Sequence, residues 1–177
     1  MIISVSEARE LLNLGEDLTD AYLERKLNAI EQAIRSYTNN NFQDRDIRRK
    51  ADIVGGTLYC EAICPFEEDD TVQITQSKLN KGLYTVYTVG DADFMLNEDV
   101  KDEENVLITK VYYPADVVDC ALNLLSWDIK SRDKVGIQSE TLSRHSVSYF
   151  NMDGDNSLMG YPKSLLGTLR AYRKARF

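Results

Sequence analysis

Leu58-Tyr59-Cys60-Glu61-Ala62-Ile63, Thr71-Val72-Gln73-Ile74-Thr75, Leu83-Tyr84-Thr85-Val86-Tyr87-Thr88-Val89 and Val106-Leu107-Ile108-Thr109-Lys110-Val111-Tyr112 are the stretches on which the fold turns. They are rich in Val, Ile, Thr and Tyr, the residues that suit a pleated, half-buried surface. Asn80-Lys81-Gly82 stands between the second and third as a hairpin connection, with Gly82 expected to supply a positive φ. Glu67-Glu68-Asp69-Asp70 and the run from Glu98 to Glu104 read as acidic loops. The isolated pair Gly55-Gly56 reads as a flexible joint ahead of the first strand. Together these features predict a small antiparallel β insert over residues 55–113, with exposed edges.

On either side of this region the apolar period lengthens to that of a helix. Ser4-Val5-Ser6-Glu7 has the spacing of a capping box and opens a first helix, with Gly15 expected to end it. A second helix is capped by Asp17 or Thr19, and Leu23, Leu27, Ile30, Ile34 and Tyr37 form one apolar stripe along it. The stripe spans too few heptads for a coiled coil and reads as helix packing. Asn39-Asn40-Asn41 stops this helix, and Arg45 to Lys50 is a charged stretch that closes an N-terminal helical segment, residues 1–50. Pro114 restarts helix over residues 114–133, with Val118, Leu122, Leu125 and Ile129 as its inward line. Residues 135–151 alternate loosely as an extended arm. Pro162 then starts a C-terminal helix, residues 162–175, that turns Leu165, Leu166, Leu169 and Tyr172 inward. The fold class expected from this order is α+β: mainly an α-helical bundle with a small antiparallel β insert, forming a single domain over residues 1–177.

Composition fits such a domain, with 43% hydrophobic and 28% charged residues in 177. No apolar run approaches the roughly 20 residues of a membrane span, and the first residues lack the pattern of a signal peptide. The expectation is a soluble protein made in the cytoplasm. The net charge of −8 is unevenly spread. After Asp155 there is no acidic side chain, while Lys163, Arg170, Arg173, Lys174 and Arg176 are all basic. An acidic body with a cationic end suits head-to-tail association or an acidic partner. Two such cations could simply offset a helix macrodipole; five invite a partner.

The motifs of catalysis are missing or incomplete. Neither G-x-G-x-x-G nor the P-loop pattern occurs. Asn151, Asp153 and Asp155 imitate the start of a calcium loop, but Asn156 and Pro162 occupy positions that require Gly and Glu. His145, the one histidine, sits in a polar alternating segment without a nucleophile-elbow pattern. Carboxylate pairs such as Asp116 and Asp119 carry no sign of a cleft. The three cysteines, Cys60, Cys64 and Cys120, fall short of a zinc set and read as small buried apolar residues. The expectation is therefore no enzyme, no metal and no cofactor. Sequence-specific DNA binding is disfavoured by the negative charge.

Three stretches carry a resemblance. The first is Ile2-Ile3-Ser4-Val5-Ser6-Glu7-Ala8-Arg9, followed by the helix ending Ile34-Arg35-Ser36-Tyr37-Thr38. The second is Tyr113-Pro114-Ala115 leading to Ala121-Leu122 and then to Lys130-Ser131-Arg132-Asp133-Lys134-Val135-Gly136-Ile137-Gln138-Ser139-Glu140. The third is Arg144-His145-Ser146-Val147-Ser148-Tyr149, then Gly160-Tyr161-Pro162-Lys163 and the basic terminal segment. In this order the chain resembles the head–tail connector (head-completion, or adaptor) proteins of tailed bacteriophages.

The resemblance implies a structural subunit at the head–tail junction of a virion, assembled in the bacterial host cytoplasm. Such subunits form a ring, commonly dodecameric, beneath the portal protein. The ring extends the DNA channel and docks the next connector, stopper or tail protein. DNA would pass without sequence-specific contact. On this reading Lys163, Arg170, Arg173, Lys174, Arg176 and Phe177 contact the portal or a neighbouring subunit. Arg144, His145, Val147 and Tyr149 form an arm able to add a strand to a neighbour. Two other classes stay open: a stand-alone adaptor that grips an acidic protein through its basic end, and a metal-dependent enzyme built around Asp153 and Asp155.

Overall fold

In the computed structural model, which describes residues 1–131, 139–142, 145–148 and 155–175, the strands start well before the expected insert. The chain divides into two compact units. One comprises residue 1 with residues 41–113, the other residues 2–40 with 114–177.

The first unit is a closed barrel of six antiparallel strands: β1 (Gln43–Val54), β2 (Thr57–Cys60), β3 (Thr71–Thr75), β4 (Gly82–Val89), β5 (Asp93–Leu96) and β6 (Glu103–Val111). Their spatial order is β1-β2-β5-β4-β3-β6, and β6 returns to β1 to close the ring. Alternate residues point inward, as the two-residue period of a strand requires. Ala51 and Ile53, Val72 and Ile74, Phe94 and Leu96, and Val106 and Ile108 are such pairs, and with Leu58, Phe66 and Val86 they fill the core. Phe94 and Phe66 meet with ring centroids 5.1 Å apart and planes at 60°, a favoured tilted aromatic pair.

These strands overturn the expected fold class. The protein is mostly a six-stranded closed β-barrel accompanied by helices, not mainly a helical bundle with a small insert. The exposed edges expected of the insert are absent, because the charged stretch of residues 45–50 lies within β1 and pairs with β6: Arg48, Arg49, Lys50 and Ala51 stand opposite Thr109, Ile108, Leu107 and Val106. Closure removes the unpaired backbone that an open sheet would present.

Two turns also differ from expectation. Gly55 and Gly56 are not a joint but the two-residue loop of the β1–β2 hairpin, at φ 58° and 83° between the paired Val54 and Thr57. Two successive positive φ values are what a type I′ hairpin turn demands. Gly82 takes no positive φ; it lies in β4 opposite Ile74, and Gln76 (φ 54°) makes the turn out of β3.

The β3–β4 connection is instead organised by a carboxylate from β6. Glu103 accepts hydrogen bonds from the Lys78 N–H (2.6 Å), the Ser77 hydroxyl (2.6 Å), the Asn80 side-chain amide (3.0 Å) and the Leu79 N–H (3.3 Å). Asn80, itself buried, also exchanges two hydrogen bonds of 2.8 Å with the Lys101 backbone. Four donors on one carboxylate favour its charged form. The Lys78 N–H and then the Ser77 hydroxyl lower the Glu103 carboxyl to about 2. A depressed folded-state pKa contributes stability that is complete above the unfolded value, about 4.3 for a free glutamate, and vanishes as pH falls through the folded one. The wild-type protein should therefore melt above Glu103→Gln at neutral pH. The gap should close as pH is lowered from about 5 to about 2 in a thermal melting series.

The second unit holds the helices. In α1 (Val5–Leu12), Ser4 caps the N-terminus by accepting from the Glu7 N–H, but Asn13, at φ 49°, ends the helix two residues before Gly15. Thr19 caps α2 (Asp20–Thr38) through the Tyr22 N–H, and Asn39, at φ 48°, closes it. Leu23, Leu27, Ile30 and Ile34 are buried, and Tyr37 is half-buried at the end of the stripe. α3 (Ala115–Ser131) follows Pro114 and packs against α2. Leu122 and Leu125 of the expected line are buried, and Ala121 and Leu124 widen that face, but it is rotated by about one residue: Val117, Cys120 and Asp128 are buried while Val118 and Ile129 are half-buried.

Residues 135–151 contain a paired hairpin, β7 (Ser139–Leu142) against β8 (His145–Ser148), with Leu142 opposite His145. The segment read as an extended arm pairs with itself there. A second small hairpin joins β9 (Ser157–Leu158) to β10 (Tyr161–Pro162). The segment expected as a basic α-helix consists of two 3-10 turns, Lys163–Leu166 and Thr168–Tyr172, separated by Gly167.

Candidate interaction surface

The cationic end is held by side chains that charge counting does not single out. Leu166 and Leu169 are buried, and both 3-10 turns pack against α3. A 3-10 turn has poorer internal hydrogen-bond geometry than an α-helix and stays short, and bonds to the surroundings hold the segment in place. The Lys174 N–H donates to the Thr38 carbonyl at the end of α2 (2.8 Å). The Asn39 amide donates to the Ala175 carbonyl (2.9 Å) and the Asn40 amide to the Tyr172 carbonyl (3.3 Å). The Tyr172 hydroxyl donates to Asp116 (2.7 Å), and the Cys120 thiol to the Leu165 carbonyl (3.2 Å). Burial pushes the Cys120 thiol up, so it stays protonated and able to donate.

Asp128 anchors the start of the same segment. Its carboxylate, 2% exposed, accepts from the Lys26 ammonium of α2 (3.2 Å) and from the Tyr161 hydroxyl of β10 (3.1 Å). Trp127 lies edge-on to Tyr161, with centroids 5.5 Å apart. One buried acid thus ties α2, α3 and β10 together.

The expected contact residues divide accordingly. Arg173 stacks over the Tyr37 ring at 5.2 Å from its centroid, an arrangement suited to a guanidinium. Lys163 donates to the Asp155 carbonyl (2.6 Å). Arg170 and Lys174 are exposed. The segment therefore brings Arg170, Arg173 and Lys174 onto one docked stretch, with Lys163 at its start. Arg176 and Phe177 lie outside the described residues. Of the arm, His145 and Val147 lie in β8, while Arg144 and Tyr149 lie outside the described residues. Asp153 of the metal-enzyme alternative is outside them as well.

Residue charge alone could flag Arg170 and Lys174, but not the surface that receives their backbone. Tyr37, Asn39, Asn40, Asp116 and Asp128 were legible only as helix stripe, helix stop and ordinary acids. The doubled Asn39-Asn40 was the available signal, because one αL cap needs only one asparagine.

No His, Cys, Asp and Glu group suited to a metal ion occurs among the described residues. No described helix is long and apolar enough to cross a membrane. What is present is an exposed cationic stretch held against α2 and α3 in one unit, and an acid-rich barrel as the other.

The family model of phage gp6-like head-tail connector proteins matches residues 2–154. The chain belongs to that family. The match covers the barrel and all three α-helices, and it ends before the cationic stretch. No curated protein matches the chain. Membership makes this connector a structural protein of the phage head–tail junction, associated with other head and tail proteins.

Proposed function

We propose that this connector assembles with copies of itself into a ring between the capsid portal and the tail, extends the DNA channel, and docks the next connector or stopper. The observation that carries this reading is the family match over most of the chain. The docked cationic stretch supports it. Arg170 and Lys174 are exposed on backbone that is tied to the ends of α2, so their charges are presented without a large ordering cost on binding. A closing ring requires two different complementary patches on each subunit. A cationic stretch and an acidic body provide opposite signs for such a contact. Carboxylates exposed to the channel would repel phosphate and keep DNA mobile.

Deleting residues 163–177 is a poor probe, because it would remove the buried Leu166 and Leu169. The double substitution Arg170→Glu with Lys174→Glu preserves the docked backbone and reverses both charges. Affinity for purified portal assemblies should fall at least about tenfold, or about 1.4 kcal/mol, at low salt. Raising the salt should narrow the difference. Unchanged binding by the reversed variant would remove these residues from the contact. Wild-type protein that stays monomeric in the presence of portal, across a concentration series in sedimentation, would favour the stand-alone adaptor instead.

A further inference from the structure

Cys60 and Cys64 are half-buried, unlike the buried Cys120. Both pack against the barrel core, and three exposed residues, Glu61, Ala62 and Ile63, separate them. Each cysteine N–H is bound to the same neighbouring segment at the next carbonyl along. Cys60 donates to Ala92 (2.7 Å) and Cys64 to Asp91 (2.9 Å). The loop therefore leaves β2 and returns to the adjacent carbonyl, so both thiols are presented at one place. Arg49 lies beside the loop, its guanidinium donating to the Ile63 carbonyl (3.4 Å).

We propose that Cys60 and Cys64 are a disulfide-forming dithiol site, oxidised by small-molecule disulfides, whose closure staples the loop at the end of β2. A disulfide needs two Cα atoms about 4.4–6.8 Å apart; the loop is anchored at both ends on successive carbonyls, and the two thiols lie within hydrogen-bonding reach of each other.

The chemistry balances through exchange. The Cys64 thiolate attacks one sulfur of the external disulfide, forms a mixed disulfide and releases one thiolate. The Cys60 thiolate then attacks the Cys64 sulfur, closes the internal bond and expels the second thiolate. Two protons leave the protein, the two cysteines are oxidised, and the external disulfide is reduced to two thiols. Cys60 is placed second because its thiol is held protonated. Burial, and next the neighbouring Cys64, push its thiol up to about 12, against the opposing pull of Arg49. Exchange should therefore accelerate with rising pH as thiolate becomes available. The host cytoplasm would keep the pair reduced, and the released particle would let it close; that timing rests on the connector reading, whereas the exchange does not.

The test uses the full chain incubated with oxidised glutathione, then denatured, alkylated and mapped by mass spectrometry. The expected product has Cys60 and Cys64 joined in one peptide with two hydrogens lost, while Cys120 remains alkylatable. Cys64→Ser and Cys60→Ser should each stop at a mixed glutathione disulfide or at the free thiol. If wild-type Cys60 and Cys64 stay alkylatable, or yield only mixed or intermolecular disulfides in the folded protein, the site does not exist. None of these results depends on portal binding.

Discussion

Phe94→Ala should destabilise the barrel by about 3–5 kcal/mol, the cost typical of removing a large aromatic from a packed core. Phe94 is 1% exposed and stands at the centre of the sheet. On β5 it faces Leu58 of β2 on one side and Val89 of β4 on the other. Its ring also meets Phe66, which lies between β2 and β3. Truncation would therefore loosen three strands and an aromatic pair together. The closed sheet cannot collapse freely around the vacancy, because each strand is bonded on both sides. Denaturant unfolding followed by near-UV circular dichroism measures the loss. Phe94→Leu, which retains most of the apolar contact, should recover roughly half of it. A loss below about 1 kcal/mol for the alanine variant would mean that the core does not rest on this ring.

The helices were largely legible because their determinants are local. The spacing of Leu23, Leu27, Ile30 and Ile34 defines a face within a single element, and Ser4 and Thr19 cap within three residues of themselves. The barrel was legible only in part, since closure is a relation between distant segments. Four strands showed through Val, Ile, Thr and Tyr. β1 did not, because Asp44-Arg45-Asp46 and Arg48-Arg49-Lys50 give it the look of a charged loop. In the structure its partner β6 arrives some sixty residues later, and its charged side chains are exposed or half-buried while Ala51 and Ile53 turn inward. Nothing in a local window distinguishes such a strand from a solvated connection. The same limit applies to the cationic end. Leu166 and Leu169 suggested a helix, but Gly167 interrupts it and the backbone spends its donors and acceptors on Thr38, Asn39 and Asn40. A family resemblance visible in ordered short motifs thus identified the class of protein, while leaving its six-stranded barrel misread as an insert.

Asp128 is expected to be the most sensitive polar residue of the helical unit, and its partners should respond unequally. Asp128→Ala should cost about 3 kcal/mol, measured as a shift in the denaturant midpoint at constant slope. Lys26, 26% exposed, can turn its ammonium to water once the acid is gone, whereas the buried Tyr161 hydroxyl loses an acceptor. The reverse change is harsher on the acid. Lys26→Met removes the cation from a carboxylate only 2% exposed, and breaking such a buried pair costs about 3 kcal/mol or more even though Tyr161 still donates to it. Tyr161→Phe removes one charge-assisted hydrogen bond and leaves the Lys26 pairing, so about 1.5–3 kcal/mol is expected. A double-mutant cycle between Asp128 and Tyr161 should then give a coupling of at least about 1 kcal/mol. The cycle bears on function because Tyr161 sits at the entry to the docked cationic stretch. Weakening this anchor should loosen Arg170 and Lys174 without changing their charge. Tyr161→Phe should therefore reduce portal affinity less than charge reversal does, and that loss should persist at high salt, where an electrostatic defect fades. A coupling near zero would show that Asp128 holds the helices together but does not position the contact segment.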